Sequence, residues 1–296
     1  MERFGQHTQP FLILHGGAGP MDPSSEWVNA ASEILIDISR SIAQNLNQPR
    51  HRLDIVEQAL QGMESEAEFN AGRGAALQSD GQARVSAALM DGPEQCFSGV
   101  IGVCNVLHPS RMARHLQAHS SRVLALPGAE TMARELGLPV DQLVTERRLK
   151  QWQERMHDAV TASDTVGAVF WHPRLGMAAG TSTGGRGFEY PGRVTDSATV
   201  AGNYASQFAA ISATGIGEEI VDDAVAARLE TRCRDGMSLA EASHRCYQEA
   251  QDRHRSYGWI AVDTEGQWAV ATTTKAMTYV VMDGQGKILA SSLTKP

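Results

Sequence analysis

Thr165-Val166-Gly167-Ala168-Val169-Phe170-Trp171 runs into His172-Pro173-Arg174, and Met177-Ala178-Ala179-Gly180-Thr181-Ser182-Thr183 follows. Two β-rich runs around a proline-containing turn predict an antiparallel hairpin. Downstream, Glu218 and Glu219 open a helix that Arg232 and Arg234 close, a charge order that suits the helix dipole. Ser238 and Glu241 have the spacing of a capping box for the next helix. Two more hairpins are expected, turning near Thr264-Glu265-Gly266 and Asp283-Gly284-Gln285-Gly286. The second half therefore reads as antiparallel sheet with paired helices and not as repeated βαβ units.

Upstream of the hairpin, Phe11-Leu12-Ile13-Leu14 predicts a buried strand ended by Gly16-Gly17-Ala18-Gly19-Pro20. Asp22-Pro23-Ser24-Ser25 offers helix caps. Trp27, Val28, Ala31, Ile34, Leu35, Ile38 and Ile42 then fall on one helical face. A second helix carries Ile55, Val56, Ala59, Leu60 and Met63. Strands and turns are expected from Val85 to Val106. Pro109 starts a helix with Met112, Ala113 and Leu116 inward, Arg122 to Leu126 forms a short strand, and Gly137 caps the helix after it. Glu146 to Asp158 is helical and charged with little apolar face, and reads as a poorly packed connector. Neither a repeat nor a low-complexity tract is present. The pattern predicts a mixed α and β protein, and its order suits two packed sheets covered by helices on both outer faces.

Composition narrows the partners. The 296 residues are 42% hydrophobic, enough for a sizeable core, and carry a formal net charge of −8. That acidity argues against nucleic acid and against anionic membranes, and favours a small-molecule or dipeptide substrate. The four cysteines, Cys96, Cys104, Cys233 and Cys246, form no zinc pattern and read as free thiols of a reducing compartment. The polar first ten residues and the short Phe11–Leu14 run suggest neither a leader nor a span, so the expectation is a cytoplasmic protein.

Several motifs have plain structural meanings. His15-Gly16-Gly17-Ala18-Gly19 completes neither a dinucleotide fingerprint nor a P-loop, and reads as a tight turn where backbone approaches backbone. Gly180-Thr181-Ser182-Thr183-Gly184 matches the string of a serine-hydrolase elbow, but Gly185-Arg186-Gly187 follows where an elbow needs a helix. His115 and His119 share a helical face without a third ligand and read as surface or packing residues. Asn70-Ala71-Gly72-Arg73-Gly74 alone reads as an ordinary loop. The hydroxyl-rich segments 181–185, 191–197 and 213–218 together offer hydroxyls, a cation, an anion and glycine backbone groups, a set that suits an amino-acid substrate. Arg193 can grip a carboxylate bidentately, and Asp196 can accept from an ammonium.

HGGAG at 15–19, FNAGRG at 69–74, MDG at 90–92, DTVGAV at 164–169, TSTGG at 181–185, PGRVTDS at 191–197 and ATGIGE at 213–218 occur in a telling order. The chain resembles the plant-type L-asparaginase/isoaspartyl peptidases, and their relative glycosylasparaginase, from His15 to about Gly286. The resemblance implies an α+β fold, the four-layer αββα sandwich of N-terminal nucleophile hydrolases, as a single domain over 1–296. It implies self-cleavage between Asp164 and Thr165 into an α chain, 1–164, and a β chain, 165–296, paired into a dimer of αβ heterodimers. Thr165 would be the nucleophile and Thr183 a second active-site threonine bonded near it. Thr214 and Gly215 would form the oxyanion hole. Arg193 would hold the substrate α-carboxylate, Asp196 and Gly217 its α-amine, and Asn70 would approach the nucleophile. The segment around Glu64, Phe69 and Ala71 would bind a structural sodium ion, mainly through backbone carbonyls. No catalytic cofactor is implied.

The implied activity is hydrolysis of the side-chain amide of L-asparagine and β-aspartyl dipeptides. Departures from the family pattern bear on the leaving group. Asp164 replaces a glycine and matches the glycosylasparaginase branch, Arg186 to Tyr190 replaces a Met-Thr-Asn-Lys-Leu run, and Ser86 replaces an aspartate. Thr273-Thr274-Lys275-Ala276-Met277 replaces Asn-Thr-Glu-Gly-Met. A glycosylasparaginase-type amidase, and a non-catalytic binder of acidic amino acids on the same fold, are the alternative readings.

Overall fold

In a computed structural model, residues 1–48, 50–155 and 165–293 are described. Asp164, and the part of the expected connector from residue 156 onward, lie outside the described residues. Strands β1 (Glu2–Gln6) and β2 (Phe11–Gly19) precede helices α1 (Glu26–Ala43) and α2 (Arg52–Ser65). Strands β3 (Arg84–Asp91) and β4 (Cys96–Cys104), helix α3 (Pro109–Leu116), the two-residue β5 (Val123–Leu124), α4 (Gly128–Glu135) and α5 (Glu146–Arg155) follow. Then come β6 (Val166–His172), β7 (Gly176–Thr183), β8 (Asn203–Ala205) and β9 (Ala209–Gly215). Helices α6 (Gly217–Asp223), α7 (Val225–Arg234) and α8 (Leu239–Asp252) lead to β10 (Tyr257–Asp263), β11 (Gln267–Thr272), β12 (Ala276–Asp283) and β13 (Ile288–Ser291).

The fold is α+β with two sheets. One has the order β13-β12-β2-β6-β7-β3-β4-β5 and the other β1-β11-β10-β9-β8. The predicted hairpin is β6–β7, paired antiparallel from Val166↔Ser182 to His172↔Gly176, and it forms the middle of the larger sheet. Every residue of β6 is buried. Burial on both faces explains why the run is so apolar, since neither side can end in water.

Three apolar clusters show what covers each face. Ala31, Leu35, Ile55, Val56, Leu60 and Met63 of α1 and α2 pack on Leu12, Leu14, Ala168 and Phe170 of the larger sheet. Phe11, Ile13, Val169 and Ala179 meet Ile260, Val262 and Val270 between the sheets. Ile211, Trp259 and Ala269 of the smaller sheet pack on Ile220, Val225, Leu229 and Leu239 of α6–α8. Alternate residues of β2 and of β6 thus enter different clusters, the period of two that a strand imposes.

Helix starts follow local chemistry. Ser25 accepts the Val28 N–H, and Ser238 and Glu241 form the expected capping box. Elsewhere the structure departs from the sequence pattern. The glycines of 15–19 continue β2 and do not form a turn: β2 runs to Gly19, pairs with β12, and shifts register opposite Thr278 and Tyr279. Close approach is nevertheless real, because a Cβ on Gly16 would meet the Phe69 ring at 2.5 Å and Thr278 Oγ1 at 2.8 Å.

The single helix expected from Glu218 to Arg234 is two. Ala224 adopts φ 46° and ψ 45°, and breaks it where the buried Asp223 carboxylate is bonded by Tyr257 OH and by Arg253. The expected connector is anchored and not poorly packed. Arg147 donates to the Ala67 and Glu68 carbonyls, Arg148 to the Gly74 carbonyl, and Trp152 Nε1 to the Gln78 carbonyl. Charged side chains hid this because they bond to backbone, which leaves no apolar periodicity to detect.

Leu60 is fully buried between α2 and the larger sheet. Leu60→Ala should lower the unfolding free energy by about 2–5 kcal/mol, read as a shifted denaturant midpoint with little change in slope.

Candidate active site

The start of β6 and the end of β7 place two threonines side by side. Val166 pairs with Ser182, so Thr165 lies just outside the ladder next to Thr183. The Thr165 hydroxyl donates to Thr183 Oγ1 at 3.2 Å, and Thr183 Oγ1 also accepts the Gly185 N–H at 3.1 Å. Strand β9, from the other sheet, brings Thr214, whose hydroxyl donates to the Thr165 carbonyl at 3.4 Å. All three threonines are buried.

Glycines allow the backbones to converge. Gly215 has φ 137°, and any Cβ there would run into Tyr257 Cα. Two residues on, a Cβ at Gly217 would meet Arg193 Nη2 at 2.5 Å and Asp196 Oδ1 at 2.6 Å. Strand β9 and the turn after it therefore join the threonine cluster to the Arg193–Asp196 pair through three residues of chain. Arg193 is engaged by Glu218 through Nε at 2.7 Å and Nη2 at 3.1 Å.

Asp196 is buried, and its Oδ2 has no hydrogen-bond partner among the described residues. Burial pushes its carboxyl up to about 6, while Arg193 and the Thr195 hydroxyl pull the other way. A group of this kind is costly to keep unless something binds it.

Asn70 also reaches the threonines. Its amide donates to the Gly185 carbonyl at 2.6 Å, its main-chain carbonyl accepts the Gly184 N–H at 2.7 Å, and its side-chain oxygen accepts the Ala76 N–H. The loop that spacing alone made ordinary is thus fastened to the end of β7.

Glu64 is fully buried, with its carboxylate bonded by the Ser110 N–H, the Ser110 hydroxyl and the Ser182 hydroxyl. Its side chain is fully committed to protein donors, and its main-chain carbonyl accepts the Arg73 N–H. Ser182 lies inside β7 with Gly184 and Gly185 after it, so the elbow reading fails on context.

Sequence reasoning missed a polar layer beside Thr165. His15 Nε2 lies 2.9 Å from Ser212 Oγ, which lies 2.8 Å from Thr181 Oγ1. Complete burial pushes the His15 imidazole down to about 3, against the opposing pull of a bond to the Thr165 backbone, so the ring is neutral at physiological pH. The HGGAG string was the available signal, but its histidine could be placed only once β2 was known to continue past it. His115 and His119 are exposed and contact each other at 2.9 Å, away from these groups.

Comparison with known proteins agrees with the geometry. The model of the family described as Asparaginase matches residues 8–289. The chain belongs to the asparaginase family. An isoaspartyl peptidase/L-asparaginase of Synechocystis is 39% identical over 280 residues, covering 89% of this chain and 85% of its own. One of Nostoc is 39% identical over 296 residues, covering 94% and 93%. A plant-type L-asparaginase of Pyrococcus abyssi is 32% identical over 297 residues, covering 92% and 95%. This asparaginase-family chain is therefore an amidohydrolase. Among its described residues no helix is long and apolar enough to cross a membrane.

Thr183→Val keeps the side-chain shape but removes the oxygen that serves Thr165 and Gly185. Such a loss at a buried site should cost about 1–3 kcal/mol, measured by denaturant unfolding, and Thr183→Ser should recover most of it.

Proposed function

We propose that this protein cuts itself before Thr165 and then uses the freed threonine to hydrolyse the side-chain amide of L-asparagine and of β-aspartyl dipeptides, releasing L-aspartate. The observation that carries the proposal is the buried Thr165–Thr183 hydroxyl bond, with Thr214 on the Thr165 carbonyl, at the start of a strand in an asparaginase-family chain. The names of the relatives, isoaspartyl peptidase/L-asparaginase and plant-type L-asparaginase, support the substrate class.

The chemistry explains why the chain would be cut. Within an unbroken chain Thr165 has only an amide nitrogen, which is not basic. Cleavage gives it an α-amine with a reference pKa of about 7.7–8.0, near the pH at which a general base works well. In self-cleavage the Thr165 hydroxyl attacks the carbonyl carbon of Asp164, and the C–N bond breaks as an ester forms. Water then hydrolyses the ester and leaves a free Thr165 amine.

In turnover the amine takes the hydroxyl proton, Oγ1 attacks the substrate amide carbon, and the C–N bond breaks. The leaving ammonia or amino acid carries the proton away. Water hydrolyses the β-aspartyl ester and restores Thr165. Thr214 and Gly215 would stabilise the oxyanion, and Thr183 would orient the nucleophile. Arg193 would exchange Glu218 for the substrate α-carboxylate. The unsatisfied Asp196 Oδ2 and the Gly217 carbonyl would take the α-ammonium, and Asn70 would hold the Gly184–Gly185 turn against the nucleophile.

We further propose the four-layer αββα arrangement, for which the three apolar clusters are the support. The products 1–164 and 165–296 would stay together and pair as a dimer of αβ heterodimers. Four free cysteines suit a cytoplasmic setting. Sodium, if held by the 64–71 loop, would take main-chain carbonyls of Glu64, Phe69 and Ala71 and not the Glu64 carboxylate, which Ser110 and Ser182 already fill.

Intact mass should reveal two fragments, 1–164 and 165–296, cut between Asp164 and Thr165, and Thr165→Ala should stay whole and inactive. An uncut Thr165→Ala protein that still releases aspartate would falsify the mechanism.

The pH profile supplies a second check. Both the Thr165 amine and Asp196 must be deprotonated in the free enzyme, so log kcat/KM should fall with unit slope below about 8. It should fall with a slope of two below about pH 6, where the Asp196 carboxylate takes up its proton. Asp196→Asn should lower kcat/KM and abolish the second step.

A further inference from the structure

A cleft of about 300 Å³ opens beside the candidate oxyanion position, lined by Ala18, Gly19, Arg186, Gly215, Ser256 and Lys275 among others. Gly215 is the hinge of the argument. On one side the chain passes through Gly217 to the Arg193–Asp196 pair, which suits the aspartyl half of a substrate. The cleft lies against Gly215 from the end of β2 and the turn between β11 and β12. An amide carbonyl resting on Gly215, with its aspartyl half on Arg193, has this cleft beside it to receive its leaving group.

The charge of the cleft is one-signed. Its lining includes Arg186 and Lys275 and no carboxylate among the described residues, in a chain whose net charge is −8. Neighbouring acids are already engaged. Glu218 is chelated by Arg193 and ion-paired with Arg186 Nη1 at 4.0 Å, so that substrate carboxylates would replace it on both cations, and Glu219 accepts the Ser256 N–H at 2.6 Å. The Asp22 carboxylate, which feels Lys275, accepts the Ser24 N–H and hydroxyl.

Both cations sit on pinned backbone. Thr273 Oγ1 donates to the Arg255 carbonyl at 2.6 Å and Thr274 Oγ1 to the Ala276 carbonyl at 2.8 Å, which fixes the turn that carries Lys275. The Arg186 N–H donates to Glu189, and the Phe188 N–H to the Leu77 carbonyl at 2.6 Å.

We infer that the leaving-group side of this enzyme selects anionic amines: β-aspartyl dipeptides whose second residue is acidic, with Arg186 and Lys275 receiving its carboxylates. The inference rests on the proposed hydrolase activity. Ammonia from L-asparagine makes no use of these cations, whereas a β-aspartyl-glutamate presents an α-carboxylate and a γ-carboxylate to them. A cleft walled by one sign of charge concentrates the opposite sign, and carboxylates bonded to a guanidinium or ammonium in such a place gain more than at an open surface.

The test measures kcat/KM of the processed enzyme for β-Asp-Glu, β-Asp-Leu and β-Asp-Lys, with L-asparagine alongside, at low ionic strength. β-Asp-Glu should exceed β-Asp-Lys by roughly tenfold or more, with β-Asp-Leu between them, and the spread should shrink as salt is added. Lys275→Glu and Arg186→Gln should each compress the Glu-to-Lys ratio, and the double variant should erase or invert it. The ratio is internal to each preparation, so partial misfolding does not mimic the effect. Equal kcat/KM for the three dipeptides in the unaltered enzyme overturns the inference while the hydrolase reading stands. Failure to release aspartate from any of the four substrates overturns both.

Discussion

The register of one hairpin governs the site. Because Val166 pairs with Ser182, Thr165 and Thr183 are adjacent where β6 begins and β7 ends, and their hydroxyls can bond. A slip of one residue would turn every side chain of the strand to the opposite sheet face. Val169 would then leave the inter-sheet cluster for the helix-covered one, and Phe170 would make the reverse exchange. Burial on both faces thus fixes the register, and the register positions the Thr165 hydroxyl.

That hairpin is fastened from both sides. Glu64 on α2 holds Ser182 from the helical side, and His15, Ser212 and Thr181 form a neutral polar layer on the other. A charged histidine there would be costly, and complete burial keeps it neutral. The threonine cluster is accordingly built on strand ends, and the segment after β7 supplies Arg193 and Asp196. Rigid elements of this kind hold reacting groups in place at little entropic cost during reaction.

The electrostatics divide the site in two. The Arg193–Asp196 side pairs a cation with a buried carboxylate that lacks a full set of donors, which suits a zwitterionic amino-acid head. The cleft on the other side of Gly215 is cationic.

By itself the sequence determined the hairpins, most helix starts and the apolar faces, because these depend on local periodicity and on caps such as Ser25 and Ser238. It also carried the ordered motifs that mark the family and single out Thr165, Thr183, Thr214, Arg193 and Asp196. Only the tertiary structure decided that residues 15–19 extend a strand, since glycines read as a turn until β12 is seen to pair with them. Tertiary packing also broke the Glu218–Arg234 helix at Ala224, where the buried ion pairs of Asp223 outweigh helix propensity. It alone joined Arg186 to Lys275 across 89 positions of sequence, because a cleft is a property of surfaces brought together and leaves no local period to read.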